Sequence, residues 1–454
     1  MRTQIDPRRV ADLTRREREV FRSTRPRSHD AWIEGRRHLL GGVPMTWMLK
    51  AAGGFPVFLD SARGARLHDI DGHEYVDFCL GDTGAMAGHS PPAVVEAVRR
   101  RAETLGGMTT MLPTEDAAWV AGELATRFGV GRWSFTLTAT DANRWMIRIA
   151  RQLTRRPKIL VFSYCYHGSV DESFVVAGDD GKVVSREGNV GAPVDPALTT
   201  RVVEFNDVDS MARELSNQDV ACVLMEPALT NIGIVLPEPG FLDEVRRITM
   251  ETGTLLVVDE THTLSCGWGG ATGEWRLTPD AVTIGKAIGG GVPIGAYGLA
   301  DELAERLLND RSADIVDTGG VGGTLAGNAL SLAAARATLE HVLTPDAFSH
   351  MTSLAERFTA GVQQVIDRHS LPWSVTRLGA RTEYRFTAPA PRSGGESAAA
   401  ADPELDDLLH VYAANRGILL TPFHNMALMC PATTIADVDR HTEVFESAVE
   451  ELLA

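Results

Sequence analysis

Thr254-Leu-Leu-Val-Val-Asp-Glu-Thr-His262 and Ala281-Val-Thr-Ile-Gly-Lys-Ala-Ile-Gly-Gly-Gly291 are the two stretches on which the reading of this chain turns. Each begins as a short, unbroken apolar run and ends in charge, at Asp259 and at Lys286. Runs of that kind mark strands covered on both faces. A charge closing such a strand is costly to bury alone and needs a partner or a task. Lys286 is also set apart by scarcity. The 454 residues contain four lysines, at 50, 158, 182 and 286, and the basic surface is otherwise written in arginine. Lysines are ordinarily solvated; the apolar flanks argue against that here.

Outward from this pair the same grammar repeats. Strands are expected at 134–137, 158–163, 221–225, 254–258, 281–285 and 294–299, with helical stretches between them. In the helix expected over 141–153, Ala142, Met146, Ile149 and Leu153 keep to one face. Alternating strands and helices imply a mainly parallel sheet, with its site at the strands' carboxyl ends. Before it, Arg66-Leu-His-Asp-Ile70 and His73-Glu-Tyr-Val-Asp-Phe78 flank Asp71-Gly72, a two-residue hairpin signal, and a helix is expected after Pro91-Pro92. Residues 388–401, rich in Ala, Pro, Ser and Gly, read as a surface loop.

Composition narrows the function class. A chain 44% hydrophobic and 23% charged builds a large core. The net charge of −16 argues against nonspecific nucleic-acid binding and against an anionic membrane surface. Five scattered cysteines with no C-x-x-C spacing favour a reducing cytoplasm and disfavour a disulfide framework or a zinc site. No apolar run approaches the roughly 20 residues that span a bilayer. The first 37 residues carry eleven arginines with acids interleaved, which reads as a solvated helical arm rather than a transit peptide.

Several strand ends carry residues of one chemistry. Thr138-Ala-Thr-Asp-Ala142 lies between a strand and a helix, where backbone amides and the hydroxyls of Thr138 or Thr140 suit a phosphate, although an ordinary N-cap reads the same way. Tyr166, in Cys165-Tyr-His-Gly168, is placed to cover a flat ring or simply to pack in a loop. Glu226 closes another apolar strand, with Asn231 following. His262 reads as an ordinary packed histidine. Thr324, inside the glycine-rich run 319–328, offers one more hydroxyl. A strand-end acid and a strand-end lysine suit pyridoxal phosphate: the lysine forms a Schiff base, and the acid pairs with the protonated pyridine nitrogen. A nicotinamide-binding alternative is weak, since no G-x-G-x-x-G follows the first strand.

Taken together, Tyr166-His-Gly168, Glu226-Pro227, Asp259-Glu260, Lys286 within Ile-Gly-Lys-Ala-Ile-Gly-Gly-Gly, and Gly323-Thr324 ahead of Gly327-Asn328 resemble the class III aminotransferases. These are fold-type I pyridoxal-phosphate enzymes, and the likeness is to their glutamate-1-semialdehyde aminomutase-like branch, from about Gly41 to the C-terminus. The resemblance implies an α/β fold: a large domain with a mainly parallel seven-stranded sheet and a smaller α/β domain drawn from both chain ends. The boundaries it suggests are an N-terminal helical arm over 1–40, small-domain parts over 41–104 and 336–454, and the cofactor domain over 105–335. It implies that Lys286 carries pyridoxal 5'-phosphate and shuttles the proton, that Asp259 holds the pyridine nitrogen, and that Tyr166 stacks on the ring. Thr138, Ala139 and Thr140 bind the phosphate, while His167, Glu226, Asn231 and Thr261 line the cofactor. Thr324 reaches the phosphate of the other subunit, so the implied site lies at a homodimer interface.

The departures bear on substrate. The family's phosphate loop usually begins Ser-Gly-Thr-Glu-Ala. In the aminomutases an N-terminal Gly-Gly-Val-Asn-Ser-Pro-Val-Arg segment supplies a substrate-binding arginine. Here it reads Gly41-Gly-Val-Pro-Met-Thr-Trp-Met48, and Thr421-Pro-Phe-His-Asn-Met426 replaces a segment that carries a glutamate. Trp47 and Met48 therefore make the expected pocket more apolar, with Asp82 and His424 at its edge. Arg381 is the candidate partner for a substrate carboxylate, surface arginine being the alternative. The function expected is a cytoplasmic, dimeric aminotransferase passing an amino group between an amino acid (aromatic, bulky or D-configured side chains being candidates) and a keto acid. The alternative is an isomerase of the same fold, an aminomutase or amino-acid epimerase.

Overall fold

A computed structural model describes residues 5–189, 194–310 and 320–454. They fall into two compact units, one of Pro92–Phe348 with Pro391–Ala399, the other of Met1–Pro91, Ser349–Ala390 and Ala400–Ala454.

The first unit is built on seven strands: β1 Arg132–Thr136, β2 Lys158–Phe162, β3 Thr200–Val203, β4 Val220–Met225, β5 Leu255–Asp259, β6 Ala281–Ile284 and β7 Gly295–Leu299. Their spatial order is β1-β7-β6-β5-β4-β2-β3. β7 runs antiparallel to β6 and β1, and the other pairings are parallel. Every residue of β4, β5 and β6 is buried, as their aliphatic runs require. Helix α1, Ala139–Thr154, packs across β4, β6 and β7, and α2, Phe241–Thr252, packs on β5. Met146, Ile149, Leu160, Val223, Val257 and Ile248 share the resulting core. Each such aliphatic side chain stabilises the fold by roughly 1.5–3 kcal/mol on burial.

Register sets the site. Val258 pairs with Met225 and Asp259 with Thr283. Glu226, Asp259 and the turn carrying Lys286 therefore emerge from neighbouring strands on one edge of the sheet. β3 was not anticipated from sequence: it is a four-residue edge strand interrupted by Arg201, which bonds Asp219. The segment 388–401 differs from the expected loop. Gly394–Ala399 is helical, with Gly394 and Ser397 buried. Ser393 Oγ accepts from the Glu396 amide at 3.1 Å. The Ser397 hydroxyl donates to the Ile232 carbonyl. Ser393-Gly-Gly-Glu396 was the overlooked helix-start signal.

The second unit holds a four-stranded sheet (Leu59–Arg63, Arg66–Asp69, Glu74–Asp77, Ile418–Leu419) and a three-stranded antiparallel one (Ser374–Leu378, Arg381–Arg385, Met426–Leu428). The hairpin turn is one residue longer than expected. Asp69 N bonds His73 O, and Asp69 Oδ1 accepts from the amides of Asp71 and His73, so Ile70 joins the turn. The Arg-rich N-terminal helix, Pro7–Thr24, is solvated on one face only. Val10, Leu13 and Phe21 form a buried stripe, and Arg18 reaches Asp407 at 2.5 Å. Arg25, 2% exposed, bonds Tyr75 Oη and the Ala414 carbonyl. Among the described residues no helix is long and apolar enough to cross a membrane.

Candidate active site

Lys286 follows β6 and is held at φ 49°. A non-glycine residue in this left-handed region costs about 1–2 kcal/mol, so the surrounding turn must impose it. Gly285 makes room: a Cβ there would stand 2.9 Å from the Ala139 amide nitrogen. Lys286 is half-buried, and its Nζ lies 2.6 Å from His262 Nε2.

Asp259 is 2% exposed. His167 Nδ1 and Asn143 Nδ2 approach its Oδ2 at 2.9 and 2.8 Å, and the Thr261 amide donates to Oδ1 at 3.0 Å. Burial alone would push this carboxyl up; the His167 bond and charge, with Thr261 and Asn143, hold it below the ordinary range. Burial likewise opposes charge on His167, yet Cys165 and Asp259 raise it well above an ordinary histidine. The pair is therefore an ionised acid held by an imidazolium. Asn143 was missed from sequence. It sits on the buried face of α1, where an amide among Ala142, Met146 and Ile149 was the available signal. Its Oδ1 accepts from Thr283 Oγ1 at 2.6 Å. Glu260 points elsewhere, accepting from Thr263 Oγ1 and the amides of Ala271 and Thr272.

Thr138 caps α1, accepting from the Asp141 amide at 3.1 Å. The first amides of a helix have no partner within it, so those of Ala139 and Thr140 lack an intrahelical acceptor at its positive end. Thr140 Oγ1 accepts from the Ser169 amide at 3.2 Å, close to Gly168. Tyr166 is half-buried, its ring 6.4 Å from that of Phe174. Asn231 is half-buried and Thr324 exposed; Gly319, which opens the glycine run, lies outside the described residues.

Glu226, also 2% exposed, is reached through Thr230: the Thr230 hydroxyl donates to Glu226 Oε2, and its oxygen lies 2.6 Å from His262 Nδ1. His262 is thus no ordinary packed histidine but the neighbour of Lys286. Burial pushes the Glu226 carboxyl up to about 7, against the pull of His167 and Thr230. The folded chain then binds this proton more tightly than the unfolded one, whose glutamate titrates near 4.3. Stability from this group is full below that value and is lost as pH rises through about 7. A wild-type chain should lose on the order of 3 kcal/mol from this source between pH 4 and 8. Glu226→Gln should flatten that part of the curve in denaturant melts.

The substrate candidates all lie in the second unit. Leu80, Gly81, Asp82 and Thr83 follow one another at φ 45°, 58°, 47° and 80°, one left-handed turn. Asp77 Oδ1 pins its start by accepting from the Cys79 and Leu80 amides. Arg381 Nη2 donates to Thr83 Oγ1. Arg381 is 1% exposed, which removes the surface reading. His424 Nδ1 lies 3.2 Å from Glu383 Oε1, two residues along the same strand as Arg381. Met48 is half-buried, while Trp47 is 42% exposed and meets Phe423 edge to face. Both line a mainly apolar cavity of about 240 Å³.

Residues 48–449 match the family model for aminotransferase class III. A glutamate-1-semialdehyde 2,1-aminomutase 2 from Geobacillus kaustophilus is 35% identical over 403 residues, covering 87% of this chain and 91% of that protein. The crystal structure of a glutamate-1-semialdehyde-aminomutase from Pseudomonas aeruginosa PAO1 is 48% identical, with TM-score 0.96 and 99% of each chain covered. The same enzyme with a K286A substitution was solved in complex with PMP. A beta-phenylalanine aminotransferase from Variovorax paradoxus is 27% identical, with TM-score 0.84, covering 98% of this chain and 97% of that one. The fold is that of the fold-type I pyridoxal-phosphate enzymes. This chain belongs to the aminotransferase class III family, alongside its glutamate-1-semialdehyde aminomutase branch, and the cofactor of that family is pyridoxal 5'-phosphate.

Proposed function

We propose that this chain is a cytoplasmic, homodimeric aminotransferase that passes an amino group between an amino acid and a keto acid. The observation that carries the reading is the single lysine held at positive φ beyond a buried strand, whose neighbouring strand ends in a buried aspartate bonded to His167. The residues present fit pyridoxal phosphate. Asp259 stays a carboxylate and so suits a protonated pyridine nitrogen; the helix-terminal amides of Ala139 and Thr140 suit a phosphate. In this reading Thr138 shapes the phosphate site as the cap of α1, Tyr166 covers the ring, and His167 and Thr261 orient Asp259. Glu226 and Asn231 border the group, and Thr324 serves the partner subunit's site. Bound there, the cofactor supplies an electron sink for charge developing at the amine-bearing carbon. Lys286 Nζ holds the group and moves the proton at that carbon.

On the substrate side Arg381 takes the carboxylate, with Asp82 and His424 at the edge and Trp47 and Met48 against the apolar part. Arg381→Gln is expected to raise KM for carboxylate-bearing substrates by about 10–100-fold, the worth of one charge-assisted hydrogen bond, with kcat changed far less. Amines without a carboxylate should be unaffected, and steady-state kinetics on matched pairs checks it.

A second reading, internal amine migration as in an aminomutase, is supported by the names of the relatives above. Against it stand Met48 and the Thr421–Met426 segment, which lack the aminomutase arginine and glutamate. A panel of D- and L-amino acids and amines, with pyruvate or 2-oxoglutarate as acceptor, separates the two. Transfer to the acceptor supports the aminotransferase. Rearrangement of glutamate 1-semialdehyde without an acceptor, or racemisation of one substrate, supports an isomerase.

A further inference from the structure

A lysine that acts as nucleophile and base must shed its ammonium proton, and that proton needs a destination. Four side chains from three strand ends stand in single file at Lys286. Its Nζ is 2.6 Å from His262 Nε2, His262 Nδ1 is 2.6 Å from Thr230 Oγ1, and the Thr230 hydroxyl donates to Glu226 Oε2. His262, Thr230 and Glu226 are 5%, 2% and 2% exposed. The one hydroxyl proton fixes the order. With Thr230 donating to Glu226, His262 Nδ1–H donates to Thr230, and the Nε2 lone pair faces Lys286. His262 Nδ1 and Glu226 Oε2 are 3.8 Å apart, too far for a direct bond, and the threonine oxygen bridges them.

We propose that Glu226, Thr230 and His262 form a proton wire that drains the Lys286 ammonium into the Glu226 carboxylate. The inference rests on the reading above, that Lys286 bears the cofactor. Nζ–H breaks as Nε2–H forms, Nδ1–H breaks as a new Oγ1–H forms, and the old Oγ1–H breaks as Oε2–H forms. An ammonium and a carboxylate become an amine and a carboxylic acid, and reversal restores the proton. His262 touches the reacting nitrogen; Thr230 and Glu226 are positioning residues that act through it. Burial raises Glu226 to about 7, so the sink accepts a proton near neutrality. The other charged groups bearing on Glu226 are His167, which favours the carboxylate, and Asp259, which opposes it.

The test follows recombination of cofactor-free protein with pyridoxal phosphate by its visible band, from pH 6.5 to 10.5. Thr230→Val removes the hydroxyl at constant shape. Glu226→Gln keeps the hydrogen bond but takes up no proton. Both are expected to recombine at least about tenfold more slowly near pH 7. The deficit should shrink to about twofold near pH 10.5, where an ordinary lysine loses its proton to water. Thr230→Ser should restore the wild-type rate. Should Thr230→Val not fold, His262→Asn carries the same expectation. Wild-type rates in the variants, or a deficit equal at every pH, overturn the wire while leaving the cofactor reading intact. Wild-type protein that incorporates the cofactor elsewhere than Lys286 overturns both.

Discussion

Lys286→Ala is expected to lower turnover at least about 10³-fold, because one atom serves as both covalent anchor and proton carrier. Losses of groups that act together do not add, so a second change at His262 should cost little more in that background. The fold should survive. Alanine inherits the φ of 49° without relieving or worsening it, and Lys286 is only half-buried. A melting-temperature change within about 3 °C, beside the lost turnover, would separate a chemical role from a structural one. The visible band of the bound cofactor should shift as well, since the imine that produces it no longer has its amine.

Asp259→Asn is expected to reduce kcat on the order of 10²–10³-fold, in line with losing one preorganised electrostatic contact. Asparagine fills the same space but keeps one acceptor oxygen, so it accepts from the Thr261 amide or from Asn143 and not from both. What it lacks is the charge that suits a protonated ring nitrogen and the charge that holds His167. The cofactor should also bind more weakly, and titration of the apoprotein by fluorescence would show it. Asp259→Ala should cost stability in addition, because it leaves His167 buried without its acid. An Asn variant with wild-type kcat would remove Asp259 from the mechanism.

Much of the sheet was legible because its central strands are continuous apolar runs. β2, β4, β5 and β6 fall within a residue or so of their expected bounds. The edges were not. β1 begins two residues earlier than expected, at Arg132-Trp133, where exposed and half-buried residues alternate, and β3 carries Arg201. The N-terminal helix misled through composition. Its arginines concealed a stripe at Val10, Leu13 and Phe21 with helical spacing, and the charges are tied to Asp407 and Glu451 of the same unit.

At the site, sequence brought forward the residues that end strands, Glu226, Asp259 and Lys286, because a charge there is conspicuous. It passed over those whose part is to join them. Asn143 lies within a helix, Thr230 in an unmarked loop, and His262 reads as packing until Lys286 Nζ is found beside it. Their contacts depend on register between strands distant in sequence, which no local pattern encodes.

Lys286 is expected to carry the cofactor in the resting protein, which borohydride reduction followed by peptide mapping would show. With four lysines in the chain the assignment is unambiguous. A pyridoxyl mass is expected on the peptide containing Lys286 and on no other. A label on Lys50, Lys158 or Lys182 instead, or no label on a protein loaded with pyridoxal phosphate, would contradict it.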